Sequence, residues 1–326
     1  MFLYLNTGGG HISAAKALVR DIQSRYSPDE VELHIVNGQG DEQNIFKALS
    51  ENGYTFVSSQ FPFLWPLCYT LGSYRPIMSF QVNFTRLSGT NLISDYIVKH
   101  GITKVVVLHF LLVAPLRSAL LRLGMSDMPT ITIVTDPFTV HNMWTFRQYM
   151  PMIVFSEEAK RRVLRRLPRL ALKGTVATLP EPPVEVMPPI LDKRFATPLS
   201  AEENLRNREA LGFSPDKPLI LLAGGGDGLP EGELYLAALG IAKLDIQVAM
   251  VCGRNRPQYD LCMIIAKLNP KKHIQVYGFV NNMYELMNMA DVIVAKGGPA
   301  TVFEVLSLHK PLIIMKHLYG QEQGNK

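Results

Sequence analysis

Cysteine is scarce in this sequence: Cys68, Cys252 and Cys262 are the only three in 326 residues. Their spacing fits neither a metal-ligand pattern nor a disulfide framework, and reduced core thiols are the ordinary reading. No uninterrupted apolar run reaches the roughly 18 residues that a bilayer-spanning helix needs, so no segment is expected to cross a membrane. The first residues lack a basic segment followed by an apolar stretch and a cleavage site, so no secretory signal is expected and the reading is cytoplasmic. What the chain does have is apolar content. Hydrophobic residues make up 47% of it, mean hydropathy is slightly positive, and the length suffices for two domains with their own cores.

The stretch ADVIVAKGGPATVFEVLSLHKPLIIMKHLYGQEQGN, residues 290–325, organises the second half. Ala290 to Ala295 is a short β-branched run between turn residues, the pattern of a buried strand. Gly297 and Gly298 then make a turn, and Pro299 stands where a first helical residue lacks an N–H at no cost. The helix is expected to run to Leu308 and a second strand from Leu312 to Met315. A helix that starts on such a turn offers free N–H groups and the positive end of its dipole to an anion. Ala300 and Thr301 lie in its first turn and Glu304 about one and a half turns in. Gln321 and Glu322 follow the next strand. The set suits a ligand that carries phosphate and many hydroxyls.

The first half opens in the same way. Phe2 to Asn6 reads as a strand, Thr7-Gly8-Gly9-Gly10-His11 as a turn, and Ile12 to Arg25 as a helix with apolar positions every three or four residues. Dinucleotide binding is one reading of strand, glycine turn and helix. It asks for Gly or Ala where this chain has Ser13, and for an acidic residue where the second strand, Val31 to Val36, ends at Asn37. His11 at a helix N-terminus should have its pKa lowered by the dipole and stay neutral, which suits a general base; a histidine that only caps the turn is the alternative. Thr103–His109, Thr130–Thr135 and Met152–Phe155 are further strands, with a helix over 113–123 between the first two, an order that argues for a parallel sheet. His109, at a strand end, reads as a satisfied sheet-end histidine or as a residue lining the same site. Asp136, His141 and Trp144 sit beyond the second of these strands, where open α/β sheets bind ligands.

Residues 41–80 crowd Phe56, Phe61, Phe63, Leu64, Trp65, Leu67, Tyr69 and Tyr74 among Pro62, Pro66 and Pro76. Two readings fit: a helix pair packed on its own domain, or an interfacial segment dipping into lipid headgroups. Ser156 caps a further helix, Glu157 and Glu158 fill its first turn, and basic residues follow at 160, 161, 162, 165, 166, 169 and 173. A solvated helix face is the default for that run; an anionic membrane surface fits it too. Nucleic acid ranks below both, since no nucleic-acid module accompanies the patch. Residues 179–199 hold six prolines and read as a linker, with the domain boundary near 181. Leu219 to Ala223, Gln247 to Cys252 and Ile274 to Tyr277 are strands of the second domain. The first ends in Gly224-Gly225-Gly226-Asp227-Gly228, so the halves mirror each other.

The block GGPATVFEVLSLHKPLII…GQEQGN, the GGGH turn and the TD…H..W segment together resemble glycosyltransferases that make glycolipids. Monogalactosyldiacylglycerol synthases and diacylglycerol glucosyltransferases are the nearer members. The lipid-linked N-acetylglucosaminyltransferase of peptidoglycan synthesis is a more distant one. The resemblance implies an α/β protein of the GT-B fold, with two Rossmann-like domains facing across a cleft: 1–180 on the acceptor, membrane-facing side and 181–326 binding the nucleotide sugar. It implies inverting transfer of galactose or glucose from a UDP-sugar to diacylglycerol. Transfer to another lipid acceptor, or sugar-nucleotide binding without catalysis, are the alternatives. On this resemblance Glu304 holds the ribose hydroxyls and Gln321 and Glu322 the sugar hydroxyls. Gly225 and Gly226 approach the diphosphate, and the loop at Phe279 and Val280 holds the uracil. Gly9, Gly10, Trp65, Asp136, His141 and Trp144 lie on the acceptor side, with His11 as base. No Asp-x-Asp pair occurs, so neither metal nor cofactor is expected, and backbone N–H groups must stabilise the departing diphosphate. Three departures stand out. Asn6 replaces the family's usual Asp and Asn142 its proline, and the family continues with more helix beyond the position of Lys326.

Overall fold

The computed structural model describes residues 1–326 apart from 8, 41–46, 48–52, 54–56, 58–60, 62, 171–181, 318, 321 and 326. The chain divides into two compact units, Met1–Ile190 with Leu318–Asn325, and Leu191–His317. The boundary expected near 181 lies outside the described residues; strand Val184–Val186 still belongs to the first sheet.

The first unit is a six-stranded parallel sheet. Its strands are β1 (Phe2–Tyr4), β2 (Ile35–Asn37), β3 (Val105–Val107), β4 (Thr130–Ile133), β5 (Met152–Val154) and β6 (Val184–Val186), in the order β2-β1-β3-β4-β5-β6. Both faces are covered, which is why the strands read as continuous apolar runs rather than alternating ones. Successive side chains point to opposite faces: Leu3, Val105 and Val107 enter a core with Ile93, Ile97, Leu112 and Leu116, while Phe2, Leu108 and Ile133 meet Ala14 and Ala15. Helix α1 (Gly9–Gln23) supplies the second face; α3 (Arg75–Lys99) and α4 (Val113–Arg122) supply the first. A short α2 (Trp65–Leu71) precedes α3. Helix α5 (Glu157–Leu170) begins where expected: Ser156 Oγ accepts the Ala159 N–H at 3.0 Å.

The second unit is a five-stranded parallel sheet in the order β11-β10-β7-β8-β9. The strands are β7 (Leu219–Ala223), β8 (Gln247–Val251), β9 (His273–Tyr277), β10 (Val292–Lys296) and β11 (Leu312–Lys316). The helices are α6 (Ala201–Ala210), α7 (Gly232–Ile241), α8 (Arg256–Leu268), α9 (Met283–Met289) and α10 (Pro299–Ser307). Leu219, Leu221, Ile293 and Ala295 pack on α9 and α10 through Leu286, Met287 and Val305. Leu222, Val248, Met250 and Val294 pack on the other face with Leu236 and Cys262. Each unit is thus a doubly wound α/β domain, as expected of the two Rossmann-like domains.

Candidate functional site

In the first unit β1, β3 and β4 are neighbours and parallel, so their carboxyl ends lie side by side, the edge at which such sheets bind ligands. The turn after β1 delivers His11 into the first turns of α1, β3 ends near His109, and β4 runs out into Thr135 and Asp136. Both histidines are buried, with ring centroids 4.9 Å apart. His11 Nδ1 lies 3.1 Å from Thr135 Oγ1. Burial pushes the His11 pKa down to about 4, against an opposing hydrogen bond to the Leu108 backbone. Loss of hydration is therefore what keeps this imidazole neutral. His109 is held well below its ordinary value by burial and then by His11; its Nδ1 accepts the Leu111 N–H at 3.2 Å. The Thr7 hydroxyl, at the mouth of the glycine turn, is buried without a hydrogen-bond partner. Gly9 and Gly10 open α1, whose N–H groups face this edge.

Asp136 is buried and its Oδ2 accepts the Trp144 indole N–H at 2.6 Å, so the carboxylate and the indole hold the segment after β4 in place. His141 uses both ring nitrogens. Nδ1 accepts the Met143 N–H at 3.2 Å, and Nε2 lies 3.1 Å from Ser73 Oγ and 3.2 Å from the Tyr69 carbonyl. Its ring stacks edge-on against Tyr69 at 4.6 Å. This histidine pins α2 to the loop after β4. Trp65 is buried rather than turned outward, and its indole N–H donates to the Tyr319 carbonyl at 3.1 Å. The segment after β11 docks here too. Gly320, at φ +75°, leaves no room for a Cβ beside the Tyr69 ring, and Gly324 packs on Phe138. Glu322 is buried in this first unit, whereas Glu304 belongs to the second. The residues expected at the ribose and at the sugar thus belong to different units, and Gln321 lies outside the described residues.

The second unit sets four glycine turns in a row, because β10, β7, β8 and β9 are neighbours and each ends in one. Gly224 has no space for a Cβ, which would lie 2.1 Å from the Gly228 carbonyl, and Gly225 has φ +86°. The Arg254 N–H donates to the Gly226 carbonyl at 2.7 Å, joining the β7 and β8 turns. Beside them a cavity of about 380 Å³ is lined by Gly253, Arg254, Arg256, Tyr259, Gly278 and Phe279. The Arg254 guanidinium stands over the Phe279 ring at 5.2 Å and within 3.8 Å of Asp227. Val280 turns inward and packs on the core. At the β10 turn the Gly297 N–H donates to the Lys316 carbonyl at 2.7 Å. Gly298, at φ −63° and ψ 131°, is the N-cap in ordinary extended backbone, and Pro299 follows as the first helical residue. Ala300 and Thr301 form the first turn of α10. Glu304 is part-buried, and burial first, Asp192 second, raise its pKa to about 7, with Arg194 opposing. Thr135, Arg254 and Tyr259 were not singled out by the sequence. A hydroxyl directly before Asp136 and a Gly-Arg pair directly after a strand were the available signals.

Residues 229–325 match the glycosyltransferase family 28 C-terminal domain. Over its full length the chain is 29% identical to monogalactosyldiacylglycerol synthase 1, chloroplastic, of Arabidopsis thaliana, covering 59% of that protein. The chain is similar in sequence to glycolipid-forming glycosyltransferases. It is 25% identical to the processive diacylglycerol beta-glucosyltransferase of Bacillus licheniformis over 61% of this chain and 48% of that one. A glycosyltransferase structure from Rickettsia africae superposes with a TM-score of 0.52 at 15% identity, covering 97% of this chain and 79% of that one, and supports the fold. The chain spans about three-fifths of the length of the plant relatives it matches.

Proposed function

We propose that this chain transfers a hexose, galactose or glucose, from a UDP-sugar to diacylglycerol, with inversion at the anomeric carbon. The observation that carries the reading is the row of glycine turns at the carboxyl edge of the second sheet, ending at the α10 N-terminus with Glu304 beyond it. Exposed backbone N–H groups and a helix N-terminus bind diphosphate without a metal, and they stabilise the charge that develops as UDP departs. Glu304 takes the ribose hydroxyls, and the cavity at Phe279 and Arg254 takes the base. In the first unit a lipid hydroxyl attacks while His11, neutral at physiological pH, accepts its proton. The lipid reaches that unit from an anionic membrane surface, through the exposed side chains of α2 and α3 and the cations of α5.

A second reading is a sugar-nucleotide binder without turnover. Asn6, where the resemblance places Asp, favours it, as does a His11 pKa near 4, which makes a weak base. One assay separates the two. UDP-sugar labelled in the hexose is incubated with the protein and diacylglycerol vesicles, and organic-extractable label is counted. Transfer predicts label in the organic phase that depends on diacylglycerol; UDP binding by calorimetry with no such label supports the second reading instead.

A further inference from the structure

Glu32, His34 and His100 bring three ligand atoms within 4.8 Å of one another in the first unit. We propose that these residues bind a single divalent transition-metal ion, with Zn(II) the best match. Glu32 and His34 stand two apart just before β2, their side chains meet, and the His34 carbonyl accepts the Phe2 N–H at 2.7 Å, which fixes this segment against β1. His100 is the C-cap of α3, and its ring lies 5.0 Å from that of His34.

Two imidazoles and one carboxylate are a known zinc donor set, in which the fourth position of a tetrahedron is left to water. On an ion with bonds of about 2.1 Å such ligands stand roughly 3.4 Å apart. His34 Nε2 and Glu32 Oε1 are already 3.1 Å apart. Every pair in the triangle lies within 4.8 Å, and closing it takes small turns of the His100 ring and of the Glu32 side chain, which is 77% exposed, while His34 is 11% exposed. The other nitrogen of His34, Nδ1, lies 3.0 Å from the Tyr96 hydroxyl. A metal-ligating histidine ordinarily has such an outer partner to fix its tautomer and orientation. Tyr96 in turn stacks on His100 at 4.3 Å, so one side chain orients both imidazoles.

The location defines the role. His34 precedes β2 and His100 follows α3 and precedes β3, which puts the cluster at the amino edge of the sheet, opposite the edge that carries His11 and Asp136. The ion therefore ties the end of α3 to the edge strand and takes no part in the transfer.

Zinc chloride titrated into the chelator-treated full chain in a calorimeter provides the test. One ion per chain is expected, with a rise in Tm of about 3 °C or more at saturation. Glu32→Gln and His100→Ala should each abolish the one-site isotherm, and Tyr96→Phe should weaken it roughly tenfold. Glu32 is exposed, so its variant keeps the fold even if the His100 variant does not. Cobalt(II) in place of zinc should give the visible spectrum of nitrogen and oxygen ligation. No stoichiometric ion, an isotherm unchanged in both ligand variants, or thiolate charge-transfer bands from Cys252 and Cys262 would each overturn the proposal.

Discussion

Two titratable residues, His11 and Glu304, are pushed in ways that work against their charge. Glu304 is the more accessible to experiment. Removing its carboxylate in Glu304→Ala should weaken UDP binding about 10- to 100-fold, since hydrogen bonds to a charged acceptor contribute roughly 1.5–3 kcal/mol each. With a folded-state pKa near 7 against an ordinary 4.5, the protonated form is favoured by the fold. Folding stability from this residue is thus full below about pH 4.5 and is lost as pH rises toward 7. Tm of the ligand-free protein, followed across that window, should fall with pH, and Glu304→Gln should flatten the slope. UDP affinity should move the other way if the ionised carboxylate accepts the ribose hydroxyls, rising through pH 7 in the native protein only. Unchanged UDP affinity in both variants would remove Glu304 from the donor site.

Helices and strands differed in how openly the sequence declared them. Strands β7 to β11 and their glycine turns were legible because short β-branched runs alternate with Gly and Pro. Helix α3 was not, although it is the longest described element at 25 residues. Thr85, Ser88, Thr90 and Ser94 interrupt its apolar spacing, yet their hydroxyls fold back onto helix carbonyls, such as Ser94 onto Thr90 at 2.9 Å. Ser88, Thr90 and Ser94 are satisfied in this way within the helix, and Thr85 Oγ1 also lies 3.1 Å from the Leu111 carbonyl. The aromatic segment shows features of both its readings, though Phe56 lies outside the described residues. Trp65 turns inward, and the exposed face consists of Phe63 and Leu67 near α2, Tyr74, and Phe80 and Leu87 on α3. Arg75 donates to the Arg169 carbonyl, which ties this apolar face to the end of α5. On α5, Ala159, Val163 and Leu167 are buried, Arg161, Arg165 and Arg169 are exposed, and Arg166 turns in to donate to the Val140 carbonyl. Vesicles containing phosphatidylserine should bind the protein at low salt and release it as salt shortens the screening length to about 8 Å at physiological strength. Arg165→Glu with Arg169→Glu should weaken binding roughly 30-fold or more, at about 1 kcal/mol per cation near the surface. Protein that stays in the supernatant at low salt would contradict membrane attachment.

At the scale of the molecule, two doubly wound units and the glycosyltransferase 28 match agree with the blocks legible in the sequence. Pairings that depend on strand order were not legible there. His11 and Thr135 are 124 residues apart and meet only because β1, β3 and β4 are neighbours, which no local spacing encodes. The return of residues 319–325 to the first unit is of the same kind, fixed by Trp65, Tyr69 and Phe138 rather than by anything in the tail. The central claim is that the first unit supplies a base to a transfer reaction, and turnover of His11→Ala tests it most directly. Measured with labelled UDP-sugar and diacylglycerol, the variant should lose about 10²–10⁴-fold in kcat while binding UDP as the native protein does. The native rate should hold level down through pH 6.5 and fall only as pH nears 4, where the imidazole gains its proton. Near-full turnover in the alanine variant would contradict the claim and move the search for the base to Asp136.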